Sequence, residues 1–266
     1  MDVIGILPLS GKDIGLEGVQ CTAEHCGWGN IDWNTEPNSI GYHFRMHSLV
    51  QTEVMRASAI AALLTTACCI PRLLVWGNPH YAHWFLVAVL AWASFILWSF
   101  VLGWHKRFLS SPPITIRFPF SIWAIATAAG LLTAATLHWL VDPTLRRVAP
   151  HEFPSNLMQW ARMVLFDISF VPLFVTFAPF DFFLRLARRP ERALCLTLGF
   201  GLFLLSLKIG TLHHSFGTWE LASLFGGRFV LCLAETWLYW KAGIAPALWL
   251  AALIEIRHLI QFVGNG

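Results

Sequence analysis

Charged residues are scarce in this chain. Of its 266 residues, 12% are Asp, Glu, Lys or Arg and 56% are hydrophobic, whereas a soluble domain carries roughly 25% charged residues. A chain of this size cannot hide so much apolar surface in one aqueous core. The composition therefore excludes an ordinary soluble protein and predicts an integral membrane protein, in which the bilayer solvates the excess apolar surface.

Motifs that carry common chemistry are missing as well. No basic run or aromatic-interleaved basic patch points to nucleic acid, and there is no Gly-rich phosphate loop, serine elbow or zincin helix. Cys21 and Cys26, with His25, His43 and His47 nearby, lack a standard zinc spacing, so we predict no metal site. The first 20 residues lack the long apolar core of a cleavable signal peptide, and none is expected.

Tyrosine is also rare, with 3 residues against 14 Trp and 21 Phe. Several tryptophans flank apolar runs, as they do in the aromatic belt that lies at the level of the lipid head groups. A surface that contacts a pigment or lipid ligand is the alternative interpretation. The flanking tryptophans are Trp76, Trp84, Trp104, Trp139, Trp219 and Trp240.

Seven apolar segments follow a polar N-terminal stretch. Residues 1–48 are predicted to form an extramembrane segment, and residues 49–266 a transmembrane helical domain. Each apolar segment is close to the roughly 20 residues that cross the hydrocarbon as a helix. The predicted fold class is all-α, a polytopic transmembrane helix bundle of about seven spans. The segments are residues 54–76, 82–104, 118–141, 156–182, 193–212, 221–240 and 243–264.

Lysine and arginine in the loops predict the orientation. The loops after the second and fourth segments are basic, and both lie on one side if all seven segments span. By the positive-inside rule that side is cytoplasmic and carries the N-terminus, which suits a bacterial inner membrane. Arg146 and Arg147 fall on the opposite side, against the rule. The basic loop residues are Lys106, Arg107, Arg117, Arg188, Arg189 and Arg192.

Charged residues inside the spans concentrate in the second half of the chain. Such groups are costly in hydrocarbon and face a partner or a cavity. We interpret them either as structural pairs between helices or as a catalytic site, with interfacial snorkelling as a third interpretation for Lys208 and Arg257. The catalytic candidates are Asp181, Arg185, Glu235, Glu255 and His258.

Spacing places some of these residues together. Arg228 and Glu235 are seven residues apart and share one face of a helix. Asp181 and Arg185, at the end of the fourth span, are four residues apart and can bond within one helix. Such a pairing predicts that Asp181 is held by Arg185 and is weakened as a base.

Three histidines are candidates for binding a cofactor. His213 and His214 stand in a predicted loop, and at most one of them would bind a metal, haem or chlorophyll-type pigment, because adjacent residues point apart on a helix. His138, near the end of the third segment, is the third candidate, with an interfacial position as its alternative. The identity of any cofactor stays unknown from the sequence.

Three stretches of the second half follow a family pattern in one consistent order. Residues 171–185 end in Phe180 and Asp181, three further residues and Arg185. Residues 139–150 precede this stretch, and residues 237–246 come before the last segment. Together they resemble the CPBP family of CAAX proteases and bacteriocin-processing enzymes, whose first signature is two adjacent glutamates, three residues and an arginine. The resemblance covers about residues 139–262.

The resemblance implies a protease site that this chain does not keep. In the family, a glutamate is thought to activate water, a histidine to position it and a polar residue to support the oxyanion. Here Phe180 and Asp181 replace the glutamate pair, while Arg185 is kept. Leu207 and Leu250 stand where the second and third signatures have histidine. Since an apolar side chain can neither take a proton nor donate a hydrogen bond, the resemblance implies an inherited fold without the chemistry.

Three functions stay open. The first is a non-catalytic accessory or scaffold subunit of a membrane complex, which contacts lipid, a pigment or a partner membrane protein. The second is an intramembrane endopeptidase with a rearranged site built from the carboxylates and His258. The third is a transporter or channel subunit. The second is favoured if two of the carboxylates of Asp181, Glu235 and Glu255 lie with a histidine within about one water of each other in a cavity.

Overall fold

The computed structural model describes residues 52–75, 80–108, 114, 119–150, 153–211 and 216–259. These residues belong to the unit Arg45–Gly266. The predicted N-terminal segment, residues 1–48, lies outside the described ranges, as do Cys21, Cys26 and the histidines near them.

Helices build the described part of the chain, in which no strand occurs. We number them α1 to α9 in chain order. Their bounds are α1 Thr52–Leu73, α2 His80–Phe108, α3 Phe120–Thr136, α4 Asp142–Val148, α5 Leu157–Ser169, α6 Ala178–Ala187, α7 Pro190–Thr211, α8 Thr218–Ala242 and α9 Ile244–Glu255.

Six helical stretches of the described chain are long and apolar enough to cross a membrane. The predicted polytopic membrane bundle is thereby confirmed as a fold class. The stretches are Thr52–Leu73, Ala82–His105, Phe120–Val148, Leu157–Ala187, Pro190–Thr211 and Thr218–Ala242.

The seventh predicted segment, residues 243–264, differs from the others. Its described part is α9, whose 12 residues rise about 18 Å, less than the hydrocarbon thickness of about 30 Å. A 3₁₀ turn, Ile256–His258, follows α9. The apolar pattern alone predicted a longer helix, but charged residues begin at Glu255, and Arg257 pairs with Asp142 at the start of α4.

Two of the long spans contain a π-helical turn, and proline explains both positions. The turns are Leu137–Val141, between α3 and α4, and Leu173–Phe177, before α6. Pro143 and Pro179 follow them. Proline has no N–H for the carbonyl four residues earlier and its ring crowds that carbonyl, which here belongs to a residue inside each turn. Helices widen locally at such points, and π turns are frequent at functional sites.

The helices pack as a connected bundle. α1 packs on α2 and α5, and α2 also packs on α6. α8 lies against α7, α9 and both π turns, while α3 packs on α9. Arg72 at the end of α1 pairs with Asp167 of α5 (Nη1–Oδ1 3.0 Å), and this pair ties two helices distant in sequence.

The flanking tryptophans differ in exposure: Trp240 is half-buried, and Trp76 lies outside the described residues. Trp84, Trp139 and Trp219 are exposed on the bundle surface, as a belt requires. Trp104 departs from this expectation: only 5% of it is exposed, and its ring lies under the Arg185 guanidinium (4.5 Å). It packs inside the bundle because it forms the apolar platform for that cation.

Substitution of Gly130 by alanine is expected to lower the thermal unfolding midpoint of the protein in mild detergent. A Cβ at this position would stand 2.9 Å from Leu253 Cβ and 3.4 Å from the Leu250 carbonyl oxygen, so α3 would be pushed away from α9. Overpacking of this kind costs about 1–3 kcal/mol. Gly199→Ala is the matched control, because nothing lies within 4 Å of its Cβ position. An equal midpoint for the two variants would contradict the close α3–α9 contact.

Candidate functional site

A fully buried polar triad joins three helices. His105 stands near the end of α2, Asp181 on α6 and Tyr239 near the end of α8, and none of the three is exposed. The Tyr239 hydroxyl donates to Asp181 Oδ2 (2.5 Å), and a hydrogen bond joins it to His105 Nδ1 (2.9 Å). Asp181 Oδ1 lies 3.5 Å from His105 Nδ1. We call this group the His105 triad.

Aromatic rings close the His105 triad. The Tyr239 ring packs on Phe177 and Phe180, with centroid distances of 4.6 and 5.7 Å. Phe180, which stands where the resemblance places a glutamate, is itself fully buried. The imidazole nitrogen Nε2 of His105 is buried without a hydrogen-bond partner. The triad is therefore a buried polar contact that is enclosed by apolar side chains.

Glu235 forms a second buried contact on the same face of α8. It stands one helical turn before Tyr239 and accepts a hydrogen bond from Thr176 Oγ1 at Oε2 (2.9 Å). Thr176 lies in the π turn before α6 and is fully buried. Two polar contacts thus follow each other along the interface between α8 and the π turn with α6.

An ionic cluster lies where α9 ends. The Arg257 guanidinium contacts Asp142 (Nε–Oδ1 3.4 Å) and Glu255 (Nη1–Oε1 3.4 Å). His258 Nε2 is 3.7 Å from Glu255 Oε2, and His138 Nδ1 is 3.7 Å from Asp142 Oδ2. These five residues, which we call the Arg257 cluster, fix the start of α4 against the end of α9.

A cavity of about 460 Å³ borders the Arg257 cluster. Its wall is formed by α4, α7, α8 and the two π turns, and is mostly Leu, Ile, Val and Phe. Every charged residue that lines it is basic: Lys208, Arg228 and Arg257. We call it the basic cavity.

The catalytic candidates do not converge on one point. Asp181 lies in the His105 triad, and Glu235 binds Thr176 one turn away. Glu255 and His258 stand together, but at the other end of α9, about 16 Å along its axis from the residue that follows α8. Each of the three carboxylates has different contacts: Asp181 with His105 and Tyr239, Glu235 with Thr176, and Glu255 with Arg257 and His258.

Two candidates meet partners that the spacing did not predict. The Arg185 guanidinium lies over the Trp104 ring, while the Asp181 carboxylate contacts His105 and Tyr239. His138, a cofactor candidate, contacts Asp142 and meets the Trp139 ring edge-on at 5.6 Å. The other two cofactor candidates, His213 and His214, lie outside the described residues. Within the described ranges, no group of three or more His, Cys, Asp or Glu is arranged to hold a metal.

Sequence reasoning missed four residues of these contacts: His105, Tyr239, Thr176 and Asp142. Tyr239 carried a signal, since it is one of 3 tyrosines and lies inside the family-like residues 237–246. Asp142 stands directly before Pro143 at the end of an apolar run, where an acidic group needs a cation. His105 and Thr176 carry no such signal, because a single polar residue in an apolar span does not indicate its partner.

The chain matches no protein-family model, and comparison with curated proteins and with solved structures finds no relative. The CPBP resemblance of residues 139–262 accordingly stays a proposal.

Proposed function

We propose that this protein is a non-catalytic, CPBP-like membrane scaffold that acts as an accessory subunit of a membrane complex. The observation that carries the proposal is the enclosure of Asp181, the one carboxylate left at the family-like signature. Its side chain has no exposed surface and is held by His105 and Tyr239. A hydrolase needs its base beside a water that also reaches the substrate, and this enclosure disfavours such a water.

The other family-like positions support the same proposal. Phe180 and Leu250 are fully buried among apolar neighbours, so each acts as a core side chain. Leu207 is exposed on α7 and faces the surroundings of the bundle. None of these three side chains can supply a proton acceptor or an oxyanion donor.

An orientation with the His105 triad on the cytoplasmic side of a bacterial inner membrane fits the charges. His105 lies near the end of α2, which carries Arg107, and Asp181 lies in the first turn of α6, the short helix that ends just before Arg188 and Arg189. Basic residues next to short loops favour the cytoplasm. The contact of α2 with α6 supports the placement of both basic loops on one side, and with them the N-terminus.

Purification of the full chain in mild detergent tests the proposal. We expect one partner membrane protein to co-elute at a fixed stoichiometry in size-exclusion chromatography, and we expect no cleavage of a prenylated CAAX peptide. Asp181→Asn should leave the recovered partner unchanged, since an amide oxygen can still accept from Tyr239. A lone, monodisperse chain, or peptide cleavage that is lost in Asp181→Asn, would overturn the proposal.

One pair favours the peptidase alternative, namely Glu255 with His258 at 3.7 Å. A carboxylate beside an imidazole is a common acid–base arrangement. Glu255 is also paired with Arg257 (Nη1–Oε1 3.4 Å). Cleavage that survives Asp181→Asn but is lost in Glu255→Gln would assign the activity to this pair.

A further inference from the structure

The basic cavity combines a hydrocarbon-like wall with cations only. Both π turns contribute to the cavity wall. Leu137 and Val141 of the first turn and Phe174 and Val175 of the second line it. Its volume of about 460 Å³ lies within the range of about 300–1,000 Å³ that is typical of ligand sites. Its shape and lining suit an apolar ligand segment.

Arg228 lines the cavity without a direct ionic contact in the described part of the chain. Among the described residues, Arg228 forms no hydrogen bond and no ion pair. Its acidic neighbour on α8, Glu235, interacts with it electrostatically without forming an ion pair, and accepts a hydrogen bond from Thr176. Arg257, by contrast, is already held by Asp142 and Glu255. A cation in an apolar span needs an anion or a route to water, and the cavity beside Arg228 offers no carboxylate of its own.

We propose that the basic cavity binds one membrane lipid with an anionic head group, whose acyl chain lies along the apolar wall and whose head group is bound by Arg228 and Lys208. A guanidinium binds phosphate and carboxylate oxygens through paired N–H groups. Basic pockets between transmembrane helices bind anionic lipid head groups. The head group of one lipid thereby pairs with the cation, and its acyl chain fills the cavity along the apolar wall. The inference does not depend on the scaffold proposal.

Native mass spectrometry of the full chain, titrated with phosphatidylglycerol, phosphatidylcholine and oleate in separate arms, tests this site. We expect one molecule of an anionic lipid to be retained, and phosphatidylcholine to be retained much less. Preference for phosphatidylglycerol identifies a phospholipid as the source, and preference for oleate a fatty acid. Equal retention of phosphatidylcholine and both anionic lipids would overturn the proposal.

Arg228→Gln is the decisive variant. It should weaken retention of the anionic lipid about tenfold, the ratio expected when one charge-assisted hydrogen bond is lost. Arg192→Gln is the matched control, because Arg192 is exposed near the start of α7, far along the helix from Lys208, and should retain the lipid as the wild type does. Unchanged retention in Arg228→Gln would contradict the site.

A second variant keeps the test open if Arg228→Gln does not fold. Leu204→Trp adds bulk to the cavity wall without removing a charge, and it should displace the acyl chain. Retention of the lipid at wild-type level in a folded Leu204→Trp protein would overturn the proposal. Competition with inorganic phosphate is the last arm of the test. If phosphate displaces the bound lipid as effectively as a competing lipid does, the acyl chain contributes nothing to binding, and the cavity is not a lipid site.

Discussion

Replacement of Asp181 by alanine is expected to lower the stability of the folded protein by about 1–3 kcal/mol, the usual cost of leaving a buried polar group without its hydrogen-bond partner. Asp181 accepts the hydroxyl proton of Tyr239 and lies against His105, and none of the three side chains reaches solvent. Alanine would remove the carboxylate that accepts from the Tyr239 hydroxyl and would leave His105 Nδ1 as the remaining partner of that hydroxyl. Thermal unfolding of the purified chain in mild detergent measures the loss.

Two further variants separate the hydrogen bonds of the His105 triad from its packing. Asp181→Asn keeps an oxygen that can accept from Tyr239, so its loss should be clearly smaller than that of alanine. Tyr239→Phe removes the hydroxyl and keeps the ring on Phe177 and Phe180. If Asp181→Ala unfolds at the temperature of Asp181→Asn, the carboxylate does not stabilise the contact between α6 and α8.

The membrane fold could be predicted from the sequence because it depends on local properties of each segment. Segment length and apolar content predict that a helix crosses the hydrocarbon, and six described stretches fulfil both conditions. The exception is α9, since the apolar pattern ran on to residue 264, whereas Arg257, just after the helix, pairs with Asp142 from another part of the fold.

The site was less predictable because its partners are distant in sequence. Spacing within one helix paired Asp181 with Arg185, but Asp181 is bound by Tyr239, 58 residues away. Similarly, Glu235 shares a helix face with Arg228, yet it binds Thr176 from a neighbouring span. The Glu255–His258 and His138–Asp142 contacts, three and four residues apart, could be predicted from spacing. Spacing within one helix tells which residues share a face of that helix. It does not tell which residue of another helix lies opposite that face.

Arg257→Met is expected to destabilise the protein by about 3–5 kcal/mol, because a buried acidic group would lose its compensating cation. Arg257 contacts both Asp142 and Glu255 at 3.4 Å, and the Asp142 side chain is only 1% exposed. Methionine keeps much of the volume and removes the guanidinium. Thermal unfolding in detergent should show the midpoint fall, and the double variant Arg257→Met with Asp142→Asn should regain part of the loss, since the amide needs no cation.

Arg147→Met provides the matched control on the neighbouring helix. Arg147 pairs with Glu220 at 3.9 Å, but 72% of its side chain is exposed, and surface pairs of this kind contribute about 0–1 kcal/mol. The same substitution should therefore cost little in α4 and much at the end of α9, because burial decides what an ion pair contributes. Equal midpoints for Arg257→Met and Arg147→Met would mean that water reaches Asp142 and that the Arg257 cluster does not hold α9 in the bundle.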